Sequence, residues 1–413
     1  MIKGRRILAW TSVAGLVLMF TPRAYTSEID ILVRKLVEKR ILTEEEAREV
    51  LAEAQKEIKK KEDVESTRVP EWVRNTKIKG DFRLRYQWED KTGSPDRSRG
   101  RYRFRLGMES KVKERMQISA GFATGGNDAR STNQTMEGGF STPDVRLDYA
   151  YVELKPYTWV TVKAGKIKGI KKLIFRPSDL LWDSDINPEG ISILLRKEEE
   201  NRYGLFMNAG FWVLDESGSD PSDPYMLVIQ PGFKYRFNET SYIKLAVAGY
   251  IFDNVKGTLL TNGADNSGKY NTLENGVLKY DYTSISPSFE WGVKNFFGGL
   301  PYLGIWGDYI YNPDPPSENR GFLLGIKLGD KEVKDFKDWQ VKYMYRKLEK
   351  DAWLDIFPDS DAYSGHTDTQ GHELAFTFGL SRHITLGMDY YYMERIKGKG
   401  RKQVLQIDWN VKF

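Results

Sequence analysis

Polar and apolar residues alternate one by one over long stretches of the chain beyond residue 76. Residues 77–88 have polar side chains at odd positions and apolar side chains or glycine at even positions, and residues 101–106 and 405–413 also alternate. Successive side chains of a β-strand point to opposite faces of the sheet. The pattern therefore predicts strands with one polar and one apolar face.

The alternation predicts sixteen strands of about 8–12 residues, close to the ~9–11 residues of a tilted membrane strand. The connections alternate between short and long, as they do in outer-membrane barrels. An open sheet edge in hydrocarbon would leave backbone groups unpaired, so the first strand must pair with the last. The predicted strands are residues 77–88, 101–109, 116–124, 145–154, 159–166, 190–196, 203–213, 225–236, 242–252, 280–293, 300–311, 321–328, 339–348, 372–380, 384–393 and 403–413.

We therefore expect an all-β fold, a 16-stranded antiparallel transmembrane β-barrel over residues 71–413. The polar face of every strand should line a water-filled lumen, because a barrel of this size is too wide for its own side chains to fill. An even strand number places both chain ends on the periplasmic side. The stretch 253–279 is long enough to hold one more hairpin, which would raise the strand number by two.

The first 27 residues have the layout of a secretory signal peptide, with Lys3, Arg5 and Arg6 ahead of an apolar run from Ile7 to Phe20. That run is shorter than the ~20 residues of a membrane-spanning helix. We expect export and removal of residues 1–27, with a retained membrane anchor as the alternative.

Residues 28–70 predict a periplasmic helical prefix, because their apolar residues recur at spacings of three and four. Thr43 and Glu46 form a capping box, which predicts the start of a second helix. The two helices can pack on each other or form a coiled coil with neighbouring chains. A solvated spacer is an equally acceptable interpretation.

Composition narrows the functional classes. The 413 residues include no Cys, which excludes disulfide scaffolds, cysteine-ligated metals and thiol catalysis. The 63 Lys and Arg nearly balance the 58 Asp and Glu along the whole chain, so we expect no nucleic-acid partner. The 23 Tyr, 20 Phe, 11 Trp and 37 Gly suit strands and turns. We expect no cofactor and no metal.

Three segments resemble the outer-membrane β-barrel porins, in particular the family of putative porins, which is similar to general and phosphate-type porins. They are I-L-T-E-E-E-A at 41–47, L-L-W-D-S-D-I-N-P-E-G at 180–190, and the final strand that ends in Phe413. The resemblance implies a 16-stranded barrel, usually a homotrimer, whose third long loop folds into the lumen; here that loop is residues 167–189. Trp409, Val411 and Phe413 look like the signal that the barrel-assembly machinery reads.

Charged residues on the predicted inner face and in the third long loop are the candidates for selectivity, because charges lining a narrow wet passage discriminate among ions. The basic candidates are Lys79, Arg83, Arg85, Arg101, Arg103 and Arg105, with Lys163 or Lys166 according to the register of the fifth strand. The acidic candidates are Asp179, Asp183, Asp185 and Glu189. We expect the two sets to create a transverse field at a constriction that passes small hydrophilic solutes and ions, with a weak preference for anions. Mutually paired or solvated charges are the alternative.

Two other functions stay open. His366 and His372 lie near Asp359, Asp361 and Asp368 in the predicted loop after strand 13, where imidazole and carboxylate could support proton transfer or bind a metal. No spacing rule singles them out, and His383 falls in a short turn, so we expect no enzymatic activity. A structural or adhesion barrel is the other alternative, which a plugged lumen would favour.

Overall fold

The computed structural model describes residues 24–68, 70–197, 202–216, 218, 222–260 and 270–413. The chain divides between Arg74 and Asn75 into a helical unit and a unit built of strands. The predicted signal peptide lies outside the described residues except for its last four, which belong to the first helix. In the described ranges, no helix is long and apolar enough to cross a membrane.

The helical unit contains α1 (Ala24–Glu38), α2 (Glu44–Arg68) and the short α3 (Glu71–Arg74). The predicted capping box is present at the start of α2. The N–H of Thr43 donates to Glu46 Oε2 at 2.8 Å, and the N–H of Glu46 donates to Thr43 Oγ1 at 3.3 Å. Val33 of α1 and Ala47 of α2 are buried, so the apolar stripes of the two helices pack on each other within one chain.

The second unit is a closed antiparallel β-barrel of sixteen strands, which confirms the predicted fold and strand number. In chain order the strands are β1 (Thr76–Lys91), β2 (Arg97–Lys113), β3 (Met116–Ala123), β4 (Arg146–Tyr157), β5 (Val160–Lys166), β6 (Glu189–Lys197), β7 (Tyr203–Val213), β8 (Tyr225–Arg236), β9 (Ser241–Asp253), β10 (Ser284–Phe296), β11 (Leu300–Tyr311), β12 (Arg320–Gly329), β13 (Trp339–Leu348), β14 (Thr369–Ser381), β15 (Ile384–Arg395) and β16 (Arg401–Lys412).

The barrel closes between β1 and β16. Leu84 of β1 lies opposite Trp409, and Arg85 lies opposite Asp408. Beyond the last strand, the N–H of Gly80 donates to the carbonyl of Phe413 at 2.8 Å. The predicted pairing of first and last strands is therefore present along the whole seam.

The possible extra hairpin between residues 253 and 279 exists but does not belong to the barrel. Leu273–Glu274 pairs with Val277–Leu278 as a separate two-stranded sheet. A second short piece, Gln134–Thr135, adds to the edge of β2 where Arg101 and Tyr102 extend beyond β3. The barrel wall therefore keeps sixteen strands.

The connections are strongly unequal at the two ends of the barrel. The four longest lie at one end, the loop end, and are L2 (residues 124–145), L3 (167–188), L5 (254–283) and L7 (349–368). The opposite end, the turn end, carries connections such as 114–115, 158–159 and 382–383. This asymmetry agrees with the predicted arrangement of tight turns and long loops.

Apolar side chains cover the outside of the wall, as the alternation predicts. Ile78, Phe122, Leu324 and Trp409 are all exposed, with exposed fractions between 47% and 69%. An apolar band of this kind matches a lipid-facing surface.

The inner face departs from the prediction that every strand presents polar residues to water. Along β7, β8, β9, β11 and β12, the inner residues toward the loop end are large and apolar, and none is more than 2% exposed: Trp212, Val228, Tyr250, Ile310 and Leu323. They are covered because L3 and L7 fold into the barrel and bring Trp182 and Trp353 against them. The expectation of a polar inner face is therefore wrong for this part of the wall.

Candidate functional site

Loop L3 runs through the inside of the barrel. Its residues Ile170, Leu173 and Leu180 are at most 1% exposed. Gln230 of β8 holds the loop by its main chain, since its side-chain amide donates to the carbonyl of Phe175 at 2.8 Å and accepts the N–H of Phe175 at 2.7 Å. These bonds satisfy buried backbone groups, so they fix L3 against the wall.

Loop L7 also enters the barrel and packs on L3. Trp353 is fully buried, and its indole N–H donates to the carbonyl of Leu181 at 2.7 Å. Its ring centroid lies 5.6 Å from that of Trp182, which also packs on Phe357 at 4.6 Å. Because truncating a buried aromatic side chain to Ala costs about 3–5 kcal/mol, this shared aromatic core holds the two loops together.

The sequence Asp-Ser-Asp occurs once in each of these loops, at 183–185 and 359–361. Both copies form the same local turn. Asp183 Oδ1 accepts the N–H of Asp185 at 2.9 Å, and Asp359 Oδ1 accepts the N–H of Asp361 at 3.0 Å. The two copies also touch, because the N–H of Ser360 donates to Asp183 Oδ2 at 2.9 Å.

The second aspartate of each turn pairs with an arginine of the wall. Asp185 lies 3.2 Å from Arg105 of β2, and Asp361 lies 3.2 Å from Arg85 of β1. Arg85 also makes a bidentate pair with Asp408 of β16, with both nitrogen–oxygen distances 2.7 Å. The structure thus brings together two members of the predicted basic set with loop acids, one of which comes from L7.

The remaining arginines of the predicted set are paired as well. Arg103 and Arg105 share Asp81, at 2.7 Å and 2.9 Å. Arg83 lies 3.4 Å from Asp408 and donates to Asn133 of L2. Arg101 donates to Gln87 at 3.2 Å and to Ser131 at 3.4 Å. We call Arg83, Arg85, Arg101, Arg103 and Arg105 the arginine row; carboxylates offset most of its charge.

Four other predicted residues lie outside this network. Lys79 pairs with Glu109 at 3.0 Å near the turn end. Lys163 has the inward register of β5 and pairs with Glu153 at 3.1 Å. Lys166 and Glu189 pair with each other at 2.6 Å, where L3 meets the wall. None of the four forms a hydrogen bond or an ion pair with the arginine row in the described part of the chain.

The arginine row, L3 and L7 enclose a cavity of about 140 Å³, which we call the chamber. Since a water molecule takes up roughly 30 Å³ of liquid volume, the chamber holds only a few waters. Its charged lining is Arg83, Arg85, Arg103, Arg130, Asp179, Asp183, Asp185, Asp359, Asp361 and Asp389.

A larger cavity of about 680 Å³ lies next to the chamber at the loop end. Asp185 borders both cavities, so the two adjoin at the turn of L3. Trp182, Trp212 and Phe357 form apolar parts of the larger cavity.

The pKa values of the two aspartates of each turn are shifted in opposite directions. Burial and the neighbouring Asp359 raise the pKa of Asp183 well above its ordinary value. Burial and the nearby Asp179 raise the pKa of Asp359 to about 7. Burial alone would also raise the pKa of Asp185, but Arg103 and Arg105 hold it below the ordinary value. Asp361 follows the same rule, because Arg85 outweighs burial and lowers its pKa.

Three acidic side chains form a cluster with the composition of a metal site. Ligand atoms of Asp179, Asp359 and Glu373 lie within 4.8 Å of one another. Arg346 of β13 contacts Asp179 at 3.0 Å and Asp359 at 3.3 Å. A guanidinium thus supplies positive charge to this cluster.

The histidines do not form an acid–base group with the aspartates of L7. His366 is buried and stacks on Tyr270 at 3.4 Å between ring centroids, and burial together with nearby cations lowers its pKa to about 3. His372 lies in β14, not in the loop, and its Nδ1 is 2.7 Å from the hydroxyl of Tyr343 on the outer face. His383 lies in the turn 382–383.

A second basic surface, which the sequence did not single out, lines the turn end near β6–β9, about half-way around the barrel from β1. It borders a cavity of about 660 Å³. We call it the lysine basin and define it by Lys171, Lys172, Arg176, Arg196, Lys234 and Lys244, with Phe175, Phe206 and Glu290. Residues from five strands and L3 build it, so no single segment of sequence marks it.

Sequence reasoning also missed the part played by L7 and by Arg346. The repeated Asp-Ser-Asp was a usable signal, because the copy in L7 matches the one in L3. The sequence suggests Asp359 and Asp361 only as partners of His366 and His372, whereas the structure places them in the chamber. Arg346 lies at an inward position of β13 and reaches both loops.

Comparisons with solved structures find variants of a bacterial porin and of another outer membrane protein. A multiple mutant of the Rh. blastica porin is 10% identical, with a TM-score of 0.44, and the match covers 82% of this chain and 100% of that one. A triple mutant of the Rhodopseudomonas blastica porin is 9% identical, with a TM-score of 0.45, and the match again covers 82% of this chain and 100% of that one. The third structure is a loop L8 deletion mutant of OmpT, an outer membrane protein of Vibrio cholerae. It is 10% identical, with a TM-score of 0.45, and the match covers 81% of this chain and 99% of that one.

Two comparisons of sequence were made, one with curated proteins and one with family models. No curated protein gives a significant match. The sequence model of the family described as putative porin matches residues 88–289 and 305–413, which together make up most of the chain and nearly the whole barrel. The chain therefore belongs to the putative porin family.

Proposed function

We propose that this protein is a diffusion channel for small hydrophilic solutes and ions, narrowed by L3 together with L7. Membership of the putative porin family and the sixteen-stranded barrel support a porin, and they fit an outer-membrane location in Gram-negative bacteria. Family and fold also suggest a non-enzymatic channel. The observation that carries the proposed constriction is the contact between Asp185 of L3 and Arg105 of the wall, at 3.2 Å.

The narrow zone has the electrostatics of a selectivity site. Arginines and ionised aspartates face each other across the small chamber, so a transverse field acts on any solute that passes beside it. A solute with both charges can orient in such a field, whereas an apolar solute must give up water without gaining a partner. This arrangement supports passage of small polar solutes.

A weak anion preference is part of the proposal, but the residues that support it differ from those expected from the sequence. The arginine row is balanced by Asp81, Asp185, Asp361 and Asp408. The lysine basin contains one acid, Glu290, beside six cations. Uncompensated positive charge in the basin therefore supports the preference for anions.

The surroundings of the channel are proposed from the family and the sequence. We propose that outer-membrane lipid covers the apolar outer face, that three copies form a homotrimer, and that the barrel-assembly machinery reads Trp409, Val411 and Phe413. We also propose that residues 1–27 are an export signal and that residues 28–70 form a periplasmic prefix before the barrel at 71–413.

Recording of single channels in planar bilayers tests the central claim. Folded protein should give stepwise conductance, and the reversal potential in a KCl gradient should have the sign of a mild anion preference. A variant of L7 sharpens the test. Replacing residues 351–361 with a short Gly-Ser linker should increase the conductance of each step. Folded protein that gives no steps would contradict the proposal.

One alternative has an observation in its favour. The aromatic core of Trp182, Trp353 and Phe357 fills part of the barrel interior, as expected for a structural or adhesion barrel with a plugged lumen. The same recording separates the two functions, because a plugged barrel conducts no ions even when it is correctly folded.

A further inference from the structure

We propose that the lysine basin is a binding site for small organic anions that carry a flat apolar group, such as aromatic carboxylates. The inference rests on the proposed function, because it concerns solutes inside the barrel, and it adds a ligand class to it. Four properties of the basin lead to this class: its charge, its aromatic rings, its size and its fixed shape.

The cations of the basin are not neutralised by protein carboxylates. Within the described ranges, Lys171, Lys172, Lys234, Lys244 and Arg196 form no ion pair, and Glu290 is the single acid among the lining residues. Glu290 is itself engaged, since it accepts the hydroxyl of Tyr242. The surface therefore offers ammonium and guanidinium groups to an anion from solution.

Aromatic rings take the place of acids around these cations. The ammonium of Lys244 lies 4.0 Å from the ring centroid of Phe175 and 4.9 Å from that of Phe206. The guanidinium of Arg196 lies 5.4 Å from the same Phe206 ring. Cation–π contacts hold the positive charges in place without cancelling them. A ligand that binds here meets charge and apolar surface side by side.

The size of the cavity fits a small molecule. Its volume of about 660 Å³ falls within the range of roughly 300–1,000 Å³ typical of ligand pockets. The chamber, at about 140 Å³, accommodates little more than water, and its lining includes the ring of Tyr391. Of the two basic surfaces, the basin alone can take an anion with a ring.

The basin is also fixed before any ligand arrives. Gln230 binds both backbone groups of Phe175, and its Oε1 accepts a further bond from Asn208 at 2.7 Å. Ser178, three residues further along L3, donates its N–H to Asp308 of β11 at 3.0 Å. A site held by its scaffold loses less entropy on binding, which favours affinity.

The test compares benzoate, acetate and the uncharged benzamide as blockers of chloride current through single channels. We expect benzoate to block with saturation, at a concentration at least tenfold below that of acetate, which corresponds to about 1.4 kcal/mol. Benzamide should not block. Calorimetric titration of benzoate into folded, detergent-solubilised protein measures the same binding without any current.

Two variants examine the two halves of the site. Lys244→Met removes the charge but keeps an unbranched apolar side chain, and it should weaken benzoate binding about tenfold. Phe206→Leu should weaken benzoate binding and leave the effect of acetate unchanged. If Lys244→Met does not fold, Lys234→Met serves the same purpose. Lys334→Gln is the matched control, because Lys334 lies in a turn at the same end of the barrel and pairs with Glu332 at 2.7 Å.

The outcomes separate this inference from the proposed function. Equal block by acetate and benzoate would contradict the role of the rings, and unchanged benzoate binding in Lys244→Met would contradict the site. Normal conductance without benzoate binding would overturn the inference and leave the porin intact. Absent conductance with calorimetric binding that depends on Lys244 would overturn the porin function and support the site.

Discussion

The arginine row and the lysine basin carry the same sign of charge inside one barrel, but their surroundings differ. The row is packed against carboxylates from β1, β16, L3 and L7, and its cavity holds a few waters. The basin has cations next to aromatic rings and a cavity more than four times larger. Charge that is paired in the interior maintains structure, whereas charge left unpaired beside water is free to act on solutes.

The largest effect that we expect is a difference in the free energy of unfolding between a variant of the arginine row and a variant of the lysine basin. Arg85→Met leaves Asp408 and Asp361 without their buried partner, which should lower the free energy of unfolding by about 3–5 kcal/mol. Lys244→Met should change it by less than about 1 kcal/mol, since Lys244 has no acidic partner to strand. Urea unfolding of the two variants in lipid vesicles checks both values, and equal losses would remove the distinction.

The next effect concerns the loops that the two surfaces share. Trp353→Ala empties part of the aromatic core between L3 and L7, which should cost about 3 kcal/mol and raise the single-channel conductance as L7 loosens. Benzoate binding should persist, because Gln230 holds L3 independently. Loss of benzoate binding would show that the basin depends on L7. Trp159→Ala, in a partly exposed outer position, is the control.

A pH effect is expected at the chamber, because Asp359 of L7 lies in its lining. The pKa of Asp359 is raised to about 7, so lowering the pH from 8 to 6 adds a proton, removes negative charge and should increase the preference for anions. The folded chain also holds this proton more tightly than the unfolded chain, so stability should fall as the pH rises from about 4 to about 7. Asp359→Asn should remove the change in selectivity near pH 7.

Asp361→Asn is the matched control for that titration. The pKa of Asp361 is lowered by Arg85, so this aspartate is ionised throughout the pH range and its loss should leave the step near pH 7 in place. Reversal potentials measured at pH 6, 7 and 8 for both variants test this. A step that survives in Asp359→Asn would assign the titration to another group.

The smallest effect that we expect is a difference in how far the reversal potential moves for each positive charge removed from the two surfaces. Lys234→Met with Lys244→Met should move the reversal potential toward cations. Arg105→Met should move it less per charge removed, because Asp185 of L3 loses a cation and takes up a proton more readily. Equal shifts per charge in a KCl gradient would mean that both surfaces act on permeating ions alike.

The wall of the barrel was predictable from the sequence because lipid imposes a simple rule on it. Residues 77–88 already show which side chains face outward, whereas the pairing of Leu84 with Trp409 is visible only in the structure. The strand ends were less visible. At Glu89, Asp90 and Lys91, polar residues occupy both faces near the rim, so alternation stops although β1 continues.

The interior was predictable only in part, because its contacts join distant segments. Asp185 and Arg105 were both candidates, since one lies in the third long loop and the other on an inward position of β2. The lysine basin was missed because Lys171, Arg196, Lys234 and Lys244 come from separate elements, and only the barrel closes them around one cavity. Trp212 and Tyr250 could not be told from interfacial aromatics by alternation alone.

Gln230 holds L3 through the main chain of Phe175 and therefore places no constraint on the side chain of that residue. Both of its bonds reach the backbone of residue 175, so the loop would stay docked whatever side chain that residue carried. The ring of Phe175 can therefore be exchanged without undocking L3, so a single substitution there would alter the ligand preference proposed for the lysine basin and leave the interior closed.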